Sequence, residues 1–291
     1  MRVTDKLMFH RAATSAARAR EQVEAATAEL ATGLRIRHPG DHPAGAGLAV
    51  GHRQAAGRMA AIGAAAGKAA DELAVADDAL GGVGATLDRA RELAIQMAND
   101  SYGPAQRAAA GAEMRMLLGQ AVALLNSRAG ARYVFAGTRD DQPPFDAAGN
   151  YLGTTAPRRV EIAPGVTEAA APTGNTIAKG PVDIPAMLSA LASALDGNDA
   201  QTVRSTLGDM EDAVEQVAQA RARIGSSMAL FTGAAEVSRV GQDAEIAAIS
   251  ALVDADAVDA ASRMALAQRA LDAALTASAR SFALTLLDKL R

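Results

Sequence analysis

The chain has 291 residues, of which 49% are apolar but only 3% aromatic, with no tryptophan and no cysteine. Disulfide frameworks and thiolate metal sites are therefore excluded, and the alanine-rich apolar content favours close packing along helical seams over a core of large side chains. A net charge of −4 argues against nucleic acid, which requires clustered Lys and Arg; the basic residues near the start (Arg2, Lys6, Arg11, Arg18, Arg20) are interleaved with Asp5, Glu21 and Glu24, which reads as solvated helix surface. The opening MRVTDKLMFHRAATS lacks the apolar centre of a secretory signal, and no run approaches the ~20 apolar residues of a membrane helix. Neither a cleaved signal peptide nor membrane insertion is expected.

In chain order, Thr4 can cap a helix that continues to about Leu34, with Phe9, Ala13, Ala16, Val23, Thr27, Leu30 and Leu34 stepping by threes and fours. The stretch LATGLRIRHPGDHPAG (30–45) then breaks the pattern with prolines and glycines. From 59 to 97 the spacing is that of a coiled-coil seam: Met59, Ile62, Ala66, Ala69, Leu73, Ala76, Leu80, Val83, Leu87, Ala90, Ala94 and Met97 alternate steps of three and four. Gly81, Gly82 and Gly84 lie inside this segment at a cost of up to ~1 kcal/mol each against alanine, so close packing or a bend is expected there. A turn at 99–104 precedes a helix from Pro104 to about Ser127, with Met114, Leu117, Ala121 and Leu124 on one face. Between Ala131 and Asp183 proline and glycine recur, and Arg132-Tyr133-Val134-Phe135 and Arg159-Val160-Glu161-Ile162 read as strands. A short helix over 183–196 leads into a very long one from about Asp199. That helix repeats the same spacing at Val203, Leu207, Met210, Val214, Val217, Arg221, Ile224, Met228, Phe231 and Ala235, and the pattern weakens at Ser238, Gln242 and Glu245. A last helix follows Asp254-Ala255-Asp256.

The fold class expected is mainly α: a long antiparallel helical coiled coil or bundle formed by the N- and C-terminal regions, with a small β-rich central insertion. Terminal coiled-coil helices occupy 1–34 and 255–291, a helical rod with its bend at 35–45 occupies 35–130 and 184–254, and the β-rich module occupies 131–183.

No motif supports catalysis. His38 and His42 are four apart with Asp41 beside them and His52 beyond, but Pro39, Gly40 and Pro43 forbid the regular helix that would turn two such histidines onto one face. Gly45-Ala46-Gly47-Leu48-Ala49-Val50-Gly51 approaches a dinucleotide fingerprint without its spacing, preceding strand or β/α context. Asp254, Asp256 and Asp259 lack the glycine and terminal glutamate of a calcium loop and fit a helix N-terminus. No cofactor and no metal is expected.

Three stretches together resemble a known family. The bend LATGLRIRHPGDHPAG, the segment RYVFAGTRDDQPPFDAAGNYLG and the ending ARIGSSMALF…ALVDADAVDAASRMALAQRALDAALTASARSFALTLLDKL are similar to those of the flagellin-like family, and Tyr133-Val134-Phe135-Ala136-Gly137-Thr138 with Pro143-Pro144-Phe145 favours its hook-associated members at the hook–filament junction. The family bend more often has Ser-Asp-Asp where this chain has Gly40-Asp41-His42. The resemblance implies a structural, non-enzymatic subunit that joins hook to filament. It would leave the cell by the flagellar type III pathway and assemble in a ring with itself, between a neighbouring hook-associated protein and flagellin, after handling by an export chaperone and the export apparatus. It also implies an assembly interface on the terminal helices, at Val23, Leu30, Leu34, Leu271, Leu275, Phe282, Leu286, Leu287 and Leu290. A short flagellin that forms the filament itself, or a cytosolic metal-dependent enzyme built on the histidines, are the alternatives.

Overall fold

The structure is a computed structural model that describes residues 3–287. Its described elements are seven helices and four short strands: α1 (Val3–Thr32), α2 (Pro43–Met97), α3 (Pro104–Leu125), β1 (Arg128–Ala129), β2 (Arg132–Tyr133), β3 (Arg159–Ala163), β4 (Val166–Ala169), α4 (Gly174–Ala178), α5 (Ile184–Asp196), α6 (Ala200–Val253) and α7 (Ala257–Leu287). This is the mainly helical architecture with a small β-rich insertion that the periodicity implies. The residues divide into two compact units: one drawn from the chain up to Gly57 and from Gln242 onward, the other Arg58–Gly241.

The larger unit is organised by α2. Every seam position from Ile62 to Met97 is buried, Ala66, Leu73, Ala76, Leu80, Val83, Leu87, Ala90 and Ala94 completely. The partner is α6, antiparallel to α2, with ion pairs Arg91–Glu211 (2.6 Å) and Asp77–Arg221 (2.9 Å) along the edges. On α6, Val203, Met210, Val217, Ile224 and Phe231 are buried. Arg221, placed on the seam by its spacing, stands at the edge instead: it donates two hydrogen bonds to Asp77, and Ala220 fills the buried position. The Asp77 carboxyl is held below its ordinary value by those bonds. The weakening of the pattern at Ser238 also has a cause, because a Cβ on Gly63 would lie 3.3 Å from Ser238 Cβ. The helices approach so closely there that a small, buried serine fits where a large apolar residue would not.

Of Gly81, Gly82 and Gly84, only Gly82 is required by packing: a Cβ there would stand 2.9 Å from Leu124 Cδ1 of α3. Helix α3 packs on α5, where a Cβ at Gly111 would come within 3.1 Å of the Ala192 carbonyl. Contrary to the expectation from sequence, α3 is long and apolar enough to cross a membrane by length and composition; its Met114, Leu117, Ala121 and Leu125 are buried in this unit's core. The C-terminal end of α2 is closed by Arg107. Its buried guanidinium donates to the carbonyls of Met97 (3.0 Å) and Asn99 (2.9 Å) and to Asn198 Oδ1 (2.6 Å), placing a cation at the end of the helix where carbonyls lack partners.

The β-rich insertion consists of two antiparallel hairpins, β1–β2 and β3–β4. The first predicted strand stops at Tyr133 because Val134 and Phe135 turn into the core, Phe135 fully buried with its carbonyl accepting from Gly174 N (2.8 Å). Two side-chain amides tie the insertion to helices: Asn126 exchanges two hydrogen bonds with the Phe145 backbone, and Gln216 of α6 bonds Val182 and Ile177. At Gly137 the chain adopts φ +72°, and a Cβ would lie 2.5 Å from the Thr154 carbonyl oxygen. Substituting Gly137→Ala is therefore expected to cost at least about 1–3 kcal/mol from left-handed strain alone, read as a lower urea midpoint with an unchanged denaturant slope.

Candidate assembly surface

In the unit that contains the chain ends, α1 and α7 pack against each other antiparallel, as the Leu34–Asp254 bridge and the contact of Glu29 with Arg263 show. The positions that face inward are Ala12, Ala16, Ala19, Val23, Ala26 and Leu30 on α1, and Ala260, Met264, Ala267, Leu271, Ala274 and Ser278 on α7. Both sets step by four and three, so each helix presents a heptad stripe. The predicted stripe on α1 was partly misplaced: Ala13 and Thr27 are exposed, and Ala19 and Ala26 are the buried positions. Alanine-to-alanine contact brings the two backbones close, and the larger Val23, Leu30 and Leu271 are only half-covered beside it.

Of the predicted interface residues, Val23, Leu30 and Leu271 are half-buried members of this pair, and half-buried Leu34 lies just beyond α1, bridged to Asp254. Leu275 is not among them. It is 53% exposed because the α7 stripe passes through Ala274 and Ser278, leaving Leu275 on the flank. Phe282, Leu286, Leu287 and Leu290 lie outside the residues whose side chains the structure describes.

Sequence reading missed two features of this unit. The first is an ion pair across the seam: Glu29, buried, accepts from Arg263 Nη2 (2.8 Å), and Arg263 also bonds Asp259 (3.0 Å) on its own helix. Both carboxylates hold the Arg263 guanidinium above its ordinary value, Glu29 the more strongly. The second is the amount of apolar surface left outside the seam. Leu7 is 51%, Val258 77% and Leu266 63% exposed, as is Leu275, outside the seam. A periodicity count along a single stripe cannot see them, although the residues were visible in the sequence.

The bend at 33–45 has an explicit hydrogen-bond structure. Gly33, at φ +69°, ends α1. Arg35 N and Ile36 N donate to the Val253 carbonyl, Ala255 N donates to Gly33 O, and the Arg35 guanidinium donates to Leu252 O (2.8 Å), so the departing and returning strands satisfy the end of α6 together. Asp41 accepts from the backbone N–H groups of Arg37 and His38 (both 2.9 Å). His42 is the N-cap of α2, its Nδ1 accepting from Gly45 N (2.8 Å), the role usually taken by Ser, Thr, Asp or Asn. His52 instead pairs with Glu245 of α6 (2.5 Å). The histidines do not converge, and among the described residues no group of three His, Cys, Asp or Glu side chains is placed to hold a metal ion.

Two expectations follow from this geometry. Ala26→Leu should pry the α1–α7 pair apart in the isolated protein, lowering helical content by circular dichroism, because a tight seam cannot take the added volume; Leu275→Asp should leave the same spectrum unchanged while reducing self-association in sedimentation. The Asp41 carboxyl is held below its ordinary value of 3.8, chiefly by the His38 and then the Arg37 backbone N–H. Because its folded value is depressed, its contribution to the bend is complete above the ordinary value and is lost as pH falls through the depressed one. Acid titration followed by NMR should therefore release the Arg37 and His38 amides below that range, and Asp41→Ala should release them at neutral pH.

Residues 3–139 match the bacterial flagellin N-terminal helical region. Flagellar hook-associated protein 3 of Salmonella typhimurium is 26% identical over 155 residues, 53% of this chain and 49% of that protein; the protein of the same name from Escherichia coli is 28% identical over 127 residues, 43% and 40% respectively. The chain thus spans about half the length, or less, of these curated relatives. Among solved structures, FlgL of Bacillus cereus superposes with a TM-score of 0.57 at 20% identity, covering 70% of this chain and 99% of that one. FlgL of Xanthomonas campestris (0.61, 18% identity, 68% and 99%) and a hook-associated protein of Vibrio parahaemolyticus (0.60, 19%, 71% and 97%) share the same fold. By sequence through its N-terminal half and by fold through its helices, the chain resembles the flagellin-like family, the hook-associated proteins among them.

Proposed function

We propose that this chain is a structural subunit of the bacterial flagellum that joins hook to filament, assembling through α1 and α7 and performing no enzymatic chemistry. The observation that carries the reading is the terminal helix pair: it spends its alanines on a seam of its own and leaves Leu7, Val258, Leu266 and Leu275 in solvent, more apolar surface than one partner helix covers. The flagellin N-terminal match and the hook-associated relatives support the same reading. On it, the subunit packs with copies of itself in a ring, contacts a neighbouring hook-associated protein on one side and flagellin on the other, and reaches the outside of the cell through the flagellar type III route with the help of an export chaperone. The terminal helices would form the inner coiled coil, the segments 35–130 and 184–254 the helical rod, and 131–183 an outer module.

A deletion strain tests this directly. Loss of the gene should leave hooks without filaments and flagellin shed into the medium, and the wild-type chain should restore filaments. The Leu275→Asp protein should be secreted yet fail to restore them. Normal filaments in the deletion strain would remove the junction role, and filaments built of this chain alone would make it a flagellin.

A further inference from the structure

The β3–β4 hairpin stands apart from the rest of the insertion in how little of it is buried. Between Arg158 and Ala171 only Val160 and Ala170 are buried, and Val166 at the tip is half exposed. Phe135, Phe145 and Ile177, which anchor the neighbouring segments, lie outside it. Such a footprint is thin for a two-stranded hairpin, which by itself is marginal in water.

Beside the apolar contact of Val160 and Ala170, and of half-buried Ile162 and Ala171, with the core, charge fastens it to α2. Glu72, buried on α2, accepts a hydrogen bond from Arg158 at the foot of the hairpin. At the start of the larger unit's α2 segment, exposed Arg58 pairs with Glu161 of β3 (2.9 Å). The second oxygen of Glu72, Oε1, is buried and has no hydrogen bond among the described residues. Arg132 Nη1 of β2 stands 3.9 Å from it, and that guanidinium is shared with Asp140 (Nε to Oδ2 3.4 Å). Glu72 is thus half-satisfied where it stands, with Arg158 as its one close partner, and Arg158 belongs to the hairpin. The exposed Arg58–Glu161 pair adds little, since exposed pairs are weak and screened by salt.

We propose that the β3–β4 hairpin is a flap latched on α2 by Glu72, and that it detaches as a local unit while α2, α3, α5 and α6 remain folded. Of the two guanidinium groups near the buried carboxylate, the one that hydrogen-bonds it sits on the moving element: when Arg158 leaves, the hairpin loses its one hydrogen bond to Glu72 and the carboxylate keeps only the longer contact with Arg132. The open form frees β3, β4 and the Glu72 side of the cleft lined by Arg132, Val134 and Asp140.

Native-state hydrogen exchange of the full chain, followed at low urea, tests it. In the wild type, amides of 158–171 should exchange through an opening that is at least tenfold more frequent than that of α2 residues 66–80 and nearly independent of urea, the mark of a local rather than a global event. Glu72→Gln should speed exchange in 158–171 by a further tenfold or more while α2 and α5 are unchanged. Arg158→Met, which breaks the latch from the hairpin side, should do the same. A common urea dependence for hairpin and helices in the wild type, hairpin exchange unmoved by either substitution, or an equal rise in the helices would each overturn the proposal. The wild-type measurement decides even if Glu72→Gln fails to fold.

Discussion

The seam along α2 is the constraint on which the larger unit depends. Small and large residues alternate on it, so that Ala66, Ala69, Ala76, Ala90 and Ala94 let the backbones of neighbouring helices approach while Leu73, Leu80, Val83 and Leu87 fill the space between. Close approach has a consequence: wherever the helices come nearest, the side chains opposite must be small. Gly82 makes room for Leu124, Gly63 for Ser238 and Gly111 for the α5 backbone at Ala192. Each glycine costs up to ~1 kcal/mol of helix propensity, and packing recovers it where a neighbour occupies the space. Gly84, with no neighbour near its missing Cβ, has no such explanation in this structure.

A chain built on alanine seams has little large apolar surface to spare, and polar groups do the work of fixing ends and corners. Arg107 closes the carbonyl end of α2, Asn126 and Gln216 hold the insertion, Arg35 closes α6, His42 opens α2, and Glu29 with Arg263 pins α1 to α7. Each has a backbone group or an opposite charge among its partners, so the directional hydrogen bonds supply the register that uniform alanine packing leaves undetermined. The same economy explains the exposed leucines and valines of the terminal pair. An alanine seam joins two helices without covering all of their larger side chains, and Leu7, Val258, Leu266 and Leu275 stay exposed.

The bend at 30–45 shows how chemistry-bearing residues serve architecture. Its histidines, aspartate and glycines are the residue types of a metal or phosphate site, yet Asp41 is occupied by two amides, His42 by a helix N-terminus, and the peptide groups around Gly33 by the end of α6. A sharp exit from one helix followed by a fresh start of another leaves unpaired backbone groups at both ends, and short polar side chains satisfy them locally.

Sequence alone determined the helices, the antiparallel pairing of the long ones, the α2 seam from Ile62 to Met97 and the presence of an irregular insertion, because periodicity over several turns and the placement of proline and glycine are local properties of the chain. The likeness of the bend and of Tyr133–Thr138 to the flagellin-like family was equally legible, since it rests on consecutive residues. Tertiary structure decided what spacing leaves ambiguous. In alanine-rich helices several stripes have nearly equal hydrophobicity, so only the partner helix selects Ala19 and Ala26 over Ala13 and Thr27, and moves Leu275 from the seam to the surface. It also decided the pairs that no local pattern encodes: Glu29 with Arg263, His52 with Glu245, and Glu72 with Arg158 join residues from 86 to 234 positions apart, and their meeting is a property of how the helices lie against one another.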